Sequence, residues 1–179
     1  WLCLCISYFF LCRASELFAY SNGKIHKDFG LTRGDIAFKR NGVQCVHVGE
    51  WHQADCVEMR FRASKSDQGR KGAVLLRSRT NKPGNAQPLM VGNLLGAGGG
   101  GFETVRELML MHPNLGAEVP LAAFPSGKTW TVWTRSQATF ALRALVQHQG
   151  LQPLEYALHS GRIGGATRLA AAGLQPAVI

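Results

Sequence analysis

Apolar residues in the opening stretch "WLCLCISYFFLCRASELFAY" recur at helical spacing, so that Leu2, Ile6, Phe9 or Phe10, and Leu17 would share one inward face. This spacing predicts a buried helix over residues 2–20. From residue 35 the period shortens to two. "DIAFKR", "VQCVHVGEW", "CVEMRFRAS" and "GAVLLRSR" are short, β-rich runs separated by "RNG" and "SDQGRKG". They predict an antiparallel meander whose turns use Asn-Gly and Asp-Gln-Gly. Residues 81–101 read as a loop ending in "GAGGGG", and helical periodicity returns near 102–112, 134–149 and 160–172. The order of helix, small antiparallel sheet and further helices predicts an α+β fold, mostly helical, without the strand–helix alternation that a parallel sheet requires.

Composition then narrows the partner. The 179 residues, 46% of them hydrophobic, suffice for one full core. Twenty Lys and Arg against 11 Asp and Glu leave a formal charge of +9, which suits a polyanion. Arg60, Arg62, Lys65, Arg70, Lys71, Arg77, Arg79 and Lys82 are opposed locally only by Asp67. Such a stretch is either a solvated hairpin face or a surface for phosphates.

Several other chemistries fit poorly. The apolar opening is too short to span a bilayer and lacks the basic start and cleavage site of a signal peptide, so no membrane partner is expected and an intracellular location is. Cysteines at 3, 5, 12, 45 and 56 read as reduced thiols that pack as small hydrophobes. "CVHVGEWHQADC" holds two Cys and two His, but at the spacing of no common zinc finger, and strand alternation would send neighbours to opposite faces; no metal is expected. "GAGGGG" follows no strand and reads as a linker. "PSGKTW" contains Gly-Lys-Thr, but Ala122 stands where a phosphate-binding loop needs its first glycine, and Pro125 interrupts the strand that should lead in.

Three stretches carry candidate chemistry. In "HSGRIGGATRLAAAG", residues 159–173, His159 and Arg162 share one face at the mouth of a helix. Both donate hydrogen bonds when the imidazole is charged, so the matching ligand is an anion; an exposed polar first turn is the plain alternative. Arg13 lies within apolar "FFLCRASELF", where a permanent charge is costly unless paired or put to use, and Glu16 one turn on can pair with it and orient it. Lys65 sits where a basic strand enters its turn, in "RASKSDQGRKG".

In that order, the arginine helix, the hairpin lysine and the His-x-x-Arg helix resemble the catalytic domain of the tyrosine recombinases, the phage-integrase-like family. "SKSDQGRKG" and "HSGRIGGATRLAAAGL" are most similar to recombinases of eukaryotic mobile elements of the DIRS and Crypton kind. Residues 83–130 match only in general character. The resemblance implies a mostly helical catalytic domain with a small antiparallel sheet, acting in DNA recombination and integration. Arg13 and Arg162 would clamp the non-bridging oxygens of a scissile phosphate, His159 would assist in proton transfer or phosphate binding, and Lys65, with Lys71 as its rival, would protonate the departing 5′ hydroxyl. Glu16 would orient Arg13, and Arg60, Arg62, Arg70 and Lys71 would contact double-stranded DNA. No metal or other cofactor is implied.

In that family a further His or Trp and then a nucleophilic Tyr follow the His-x-x-Arg box, and no such residue follows Arg162 here; Tyr8, Tyr20 and Tyr156 all precede it. Residues 1–179 are therefore expected to form a partial catalytic domain. The N-terminal DNA-clamping domain and the C-terminal nucleophile segment would belong to a longer parent, as the start at Trp1 and the late Pro176 also suggest. The parent would act as a tetramer on DNA, in the nucleus if eukaryotic, and this piece would be monomeric and inactive alone. The alternative is a non-catalytic DNA-binding remnant of a mobile element.

Overall fold

The alternation of apolar and polar residues carries directly into the sheet. In the computed structural model, which describes residues 1–63, 72–79 and 100–173, β1 (Ile36–Arg40) buries Ile36 and Phe38. Asn41 and Gly42, both left-handed at φ 50° and 81°, turn it into β2 (Val43–Gln44), the tight hairpin that Asn-Gly favours. β3 (Cys56–Phe61) buries Val57, Met59 and Phe61 and turns Glu58 and Arg60 outward, and β4 (Ala73–Ser78) pairs with it antiparallel along six residues.

The strand order is β2-β1-β3-β4, not that of a meander. The strand expected over 43–51 ends after Gln44, because residues Val48–Gln53 coil into a 3-10 segment. That coil stacks Trp51 on Phe38, with ring centroids 4.7 Å apart, and leaves Val46 and Val48 exposed. With β2 so short, β3 adds to the other edge of β1.

The described chain forms two units, one built from residues 3–30 and 122–173, the other from residues 31–121. In the second, α3 (Gly101–Met111) buries Phe102, Val105, Leu108 and Met109, the i, i+3, i+6 and i+7 positions of one face. Phe102 meets Phe38 edge-on at 5.7 Å. Arg79, just past β4, pairs with Glu103 at 3.0 Å and donates to the His52 carbonyl at 2.6 Å. Arg33 is buried and donates to the Met109 carbonyl at 2.7 Å; burial lowers its pKa. The unit closes where Leu121 N–H donates to the Leu31 carbonyl, 2.9 Å away.

The first unit corrects the long opening helix. α1 (Leu2–Phe9) stops, Leu11 adopts a left-handed φ of 56°, and Arg13 begins a separate one-turn helix, α2 (Ala14–Leu17). The helical period spans this break undisturbed, and Leu11 takes a conformation that glycine usually fills, so the sequence carries no punctuation there. Ile6, Phe10 and Leu17 are buried as expected, whereas Leu2 and Phe9 are only half-buried.

Residues around "PSGKTW" form a hairpin of β5 (Ala123–Ser126) and β6 (Thr129–Val132), turning at Gly127 with φ 62°. Sequence patterning missed it, since each strand is four residues long and Pro125 disfavours one of them. Thr134 then caps α4 (Arg135–His148) by accepting from the Gln137 N–H, and the chain ends its described course in α5 (His159–Ala171). These helices start and stop within a residue or two of the expected bounds. The fold is thus α+β with a small antiparallel sheet. Among the described residues no helix is long and apolar enough to cross a membrane.

Phe102 is fully buried and bears on both α3 and β1. Phe102→Ala is expected to cost about 3–5 kcal/mol, read from the urea unfolding midpoint.

Candidate phosphate-binding site

A carboxylate buried among apolar residues must be neutralised or hydrogen-bonded to stay there. Glu16 is 3% exposed, at the third position of α2. Its two oxygens divide the work. Oε2 accepts the Arg13 backbone N–H at 2.6 Å, tying off the helix start, and Oε1 lies 3.5 Å from Arg13 Nη1. Arg13 therefore stands at the N-cap of a short helix, with its side chain 26% exposed, and not in the middle of a long buried one.

Arg162 acts on the same carboxylate. Burial raises the Glu16 pKa, while the Arg13 backbone N–H and the charges of Arg13 and Arg162 oppose that rise. Burial outweighs them, so the net shift is upward. Two guanidiniums thus sit within electrostatic reach of one partly desolvated carboxylate. Among the described residues Arg162 has no hydrogen-bond or ion-pair partner.

Arg162 reaches this place because α5 lies directly on α1. An ideal Cβ on Gly165 would collide with the Tyr8 carbonyl oxygen and lie 2.7 Å from Leu11 Cδ2, and one on Gly161 would strike Ser7 Oγ. Gly161 and Gly165, one turn apart, form a flat strip on which the backbone of α1 rests. Sequence reading passed over them, although three glycines inside a helix are themselves a signal, because glycine costs helix stability unless something approaches closely. His159 is the first residue of α5, exposed, one turn before Arg162.

The structure brings together Arg13, Glu16 and Arg162, with His159 at the head of the helix that carries Arg162. The other expected contacts lie in the second unit or outside the described residues. Arg60 is exposed on the outer face of β3. Arg62 is 3.3 Å from Asp35, so its charge is partly spent within the fold. Lys65, Arg70 and Lys71 lie outside the described residues, as does Asp67.

All five cysteines are free thiols, and burial raises the pKa of Cys3 to about 11 and of Cys5 to about 12, which makes them poor nucleophiles and poor ligands. Among the described residues no group of three or more His, Cys, Asp or Glu side chains is placed to hold a metal ion.

No protein-family model, curated protein or solved structure matches the chain. The site's meaning rests on its own geometry.

Two outcomes follow from that geometry. Gly165→Ala should lower stability by about 1–3 kcal/mol in thermal melts by forcing α5 away from α1. Gly164→Ala, whose Cβ would meet only the Tyr8 ring, Cε2 at 3.4 Å and Cδ2 at 3.6 Å, should be neutral or stabilising by up to about 1 kcal/mol. The raised Glu16 pKa has a definite sign: its stabilisation is present below the ordinary value of 4.5 and is lost as pH rises through the native value. As pH rises from about 4 through the native value the wild type should therefore lose stability relative to Glu16→Gln, which keeps the helix-capping acceptor; parallel urea curves for the two proteins measure this.

Proposed function

We propose that this chain is part of the catalytic domain of a tyrosine recombinase, acting on double-stranded DNA in recombination or integration. The observation that carries the proposal is that Arg13, paired with the buried Glu16 carboxylate at the start of α2, and Arg162, on α5, both act electrostatically on that one carboxylate. A cation pair held together before any ligand arrives is preorganised for the non-bridging oxygens of a phosphodiester. Glu16 holds Arg13 by its hydrogen bonds, and its charge partly neutralises the mutual repulsion of the two guanidiniums. Holding charge-stabilising donors in place in advance is where most of the rate of phosphoryl transfer originates.

On this reading the roles follow the order of the sequence. Arg13 and Arg162 stabilise the negative charge that builds on the phosphate oxygens, and His159, exposed at the head of α5, donates to the same group or relays a proton. Lys65, or Lys71 in its place, gives its proton to the 5′ oxygen as the P–O bond breaks. The new P–O bond forms to a tyrosine hydroxyl, leaving a 3′-phosphotyrosine that the 5′ hydroxyl later reverses. None of Tyr8, Tyr20 and Tyr156 is assigned that role. Arg60 and Arg62, with Arg70 and Lys71, would add contacts to the DNA backbone. Assembly as a tetramer on DNA and a nuclear location in a eukaryote belong to the same proposal.

Arg13→Ala and Arg162→Ala should each weaken binding of a duplex oligonucleotide. Each should make log K against log salt shallower by about 0.9, the effect of one lost phosphate contact, in fluorescence anisotropy titrations. Affinity and slope unchanged in both variants would overturn the clamp.

A further inference from the structure

A second cluster of cations in the first unit is not used by the clamp. Three residues beyond α2, Tyr20 opens a tight turn closed by Gly23 N–H to the Tyr20 carbonyl at 3.0 Å and Tyr20 N–H to the Lys24 carbonyl at 2.9 Å. The turn fixes Lys24 beside Tyr20. Ala19 is pinned on both sides, donating to the Trp133 carbonyl and accepting from the Arg135 N–H, each at 3.0 Å. That pairing carries the first residue of α4 to Tyr20, where the Arg135 guanidinium lies over the ring, 4.2 Å from its centroid. His26 stacks on Phe29 at 3.3 Å and leans toward Tyr20 at 6.5 Å.

The result is a shelf of rings edged with cations, held by backbone hydrogen bonds. Its charges are unspent. Lys24 and Lys27 are exposed, and among the described residues neither they nor Arg135 form an ion pair. Arg135 Nε is buried without a hydrogen-bond partner among those residues. Asp28 is the one carboxylate in residues 20–30. A guanidinium pre-stacked on an aromatic ring loses little freedom on binding and presents its remaining N–H groups to an oxyanion.

We propose that Tyr20, Lys24, Lys27 and Arg135 form a second phosphate contact, which grips the DNA backbone away from the scissile phosphate. This rests on the duplex-DNA reading above and adds to it a surface that fixes the register of the DNA on the first unit. Separate, unpaired cations on a rigid shelf suit a polymer with a phosphate at every step, because each one releases counterions independently of the others.

The test uses the full chain, a duplex of about 30 base pairs, and anisotropy titrations at several salt concentrations. Arg135→Gln should weaken binding several-fold and make the salt slope shallower by about 0.9, and the doubly substituted Lys24→Gln/Lys27→Gln protein by up to about twice that. The double variant lies on an exposed turn, so it keeps the test valid if Arg135→Gln melts early. If these variants bind like wild type while Arg13→Ala does not, the shelf is wrong and the clamp stands. If the shelf variants alone weaken binding, the shelf stands and the clamp falls. A wild-type chain that binds no duplex overturns both. Should polyglutamate displace the duplex from wild type but not from the lysine double variant, the shelf serves an acidic polypeptide, and the DNA proposal fails.

Discussion

Burial of the Glu16 carboxylate is the constraint around which the first unit is arranged. A carboxylate in that position has to be satisfied from nearby, and the nearest donors are the N–H and guanidinium of Arg13. To supply both, Arg13 must stand at a helix start, so the apolar segment that would otherwise run on as one helix breaks at Leu11. The second cation comes from α5, and it arrives only because glycines let that helix lie against α1. Break and cap both serve that one buried carboxylate, and the glycine strip seats the helix whose Arg162 adds its charge to it.

The second unit handles its cations differently. Arg33 is buried and bound to a carbonyl, Arg62 is matched to Asp35, and Arg79 is shared between Glu103 and His52. These side chains count toward the formal +9 but spend much of their charge inside the fold. Among the described residues, Arg60 on the outer face of the sheet, and Arg135 with the lysines of the 20–30 turn, are among the cations left outside ion pairs. Net charge read from a sequence overstates the charge a partner meets, and the distribution of ion pairs corrects it.

Much of the fold was legible. Period-two alternation located β1, β3 and β4, Asn41-Gly42 marked its hairpin, and three helices fell within a residue or two of their expected bounds. What escaped was non-local. The coil at Val48–Gln53 exists because Trp51 reaches back to Phe38, a contact that no spacing along the chain encodes. The β5–β6 hairpin is too short, and Pro125 too discouraging, for pattern to reveal. The pairing of Arg13 with Glu16 was visible from their spacing, and His159 and Arg162 from theirs. That the charge of Arg162 is felt by the carboxylate that Arg13 binds needed the packing of α5 on α1, and Gly165, on which that packing depends, was hidden by being read as part of a motif and not as a contact surface.

The glycine strip has one further consequence. An ion pair weakens in salt and changes with pH, but a helix seated where only backbone fits is positioned by shape. Sliding α5 by one residue would bring either Ala166 to the spot where Gly165 meets the Tyr8 carbonyl or, in the other direction, Ser160 to the spot where Gly161 meets Ser7 Oγ, and neither leaves room for a Cβ. Arg162 is therefore held in register by a steric key that ionic strength does not loosen. If the proposed phosphate clamp is right, salt that strips the DNA would leave the geometry of the clamp in place, ready to bind again without refolding.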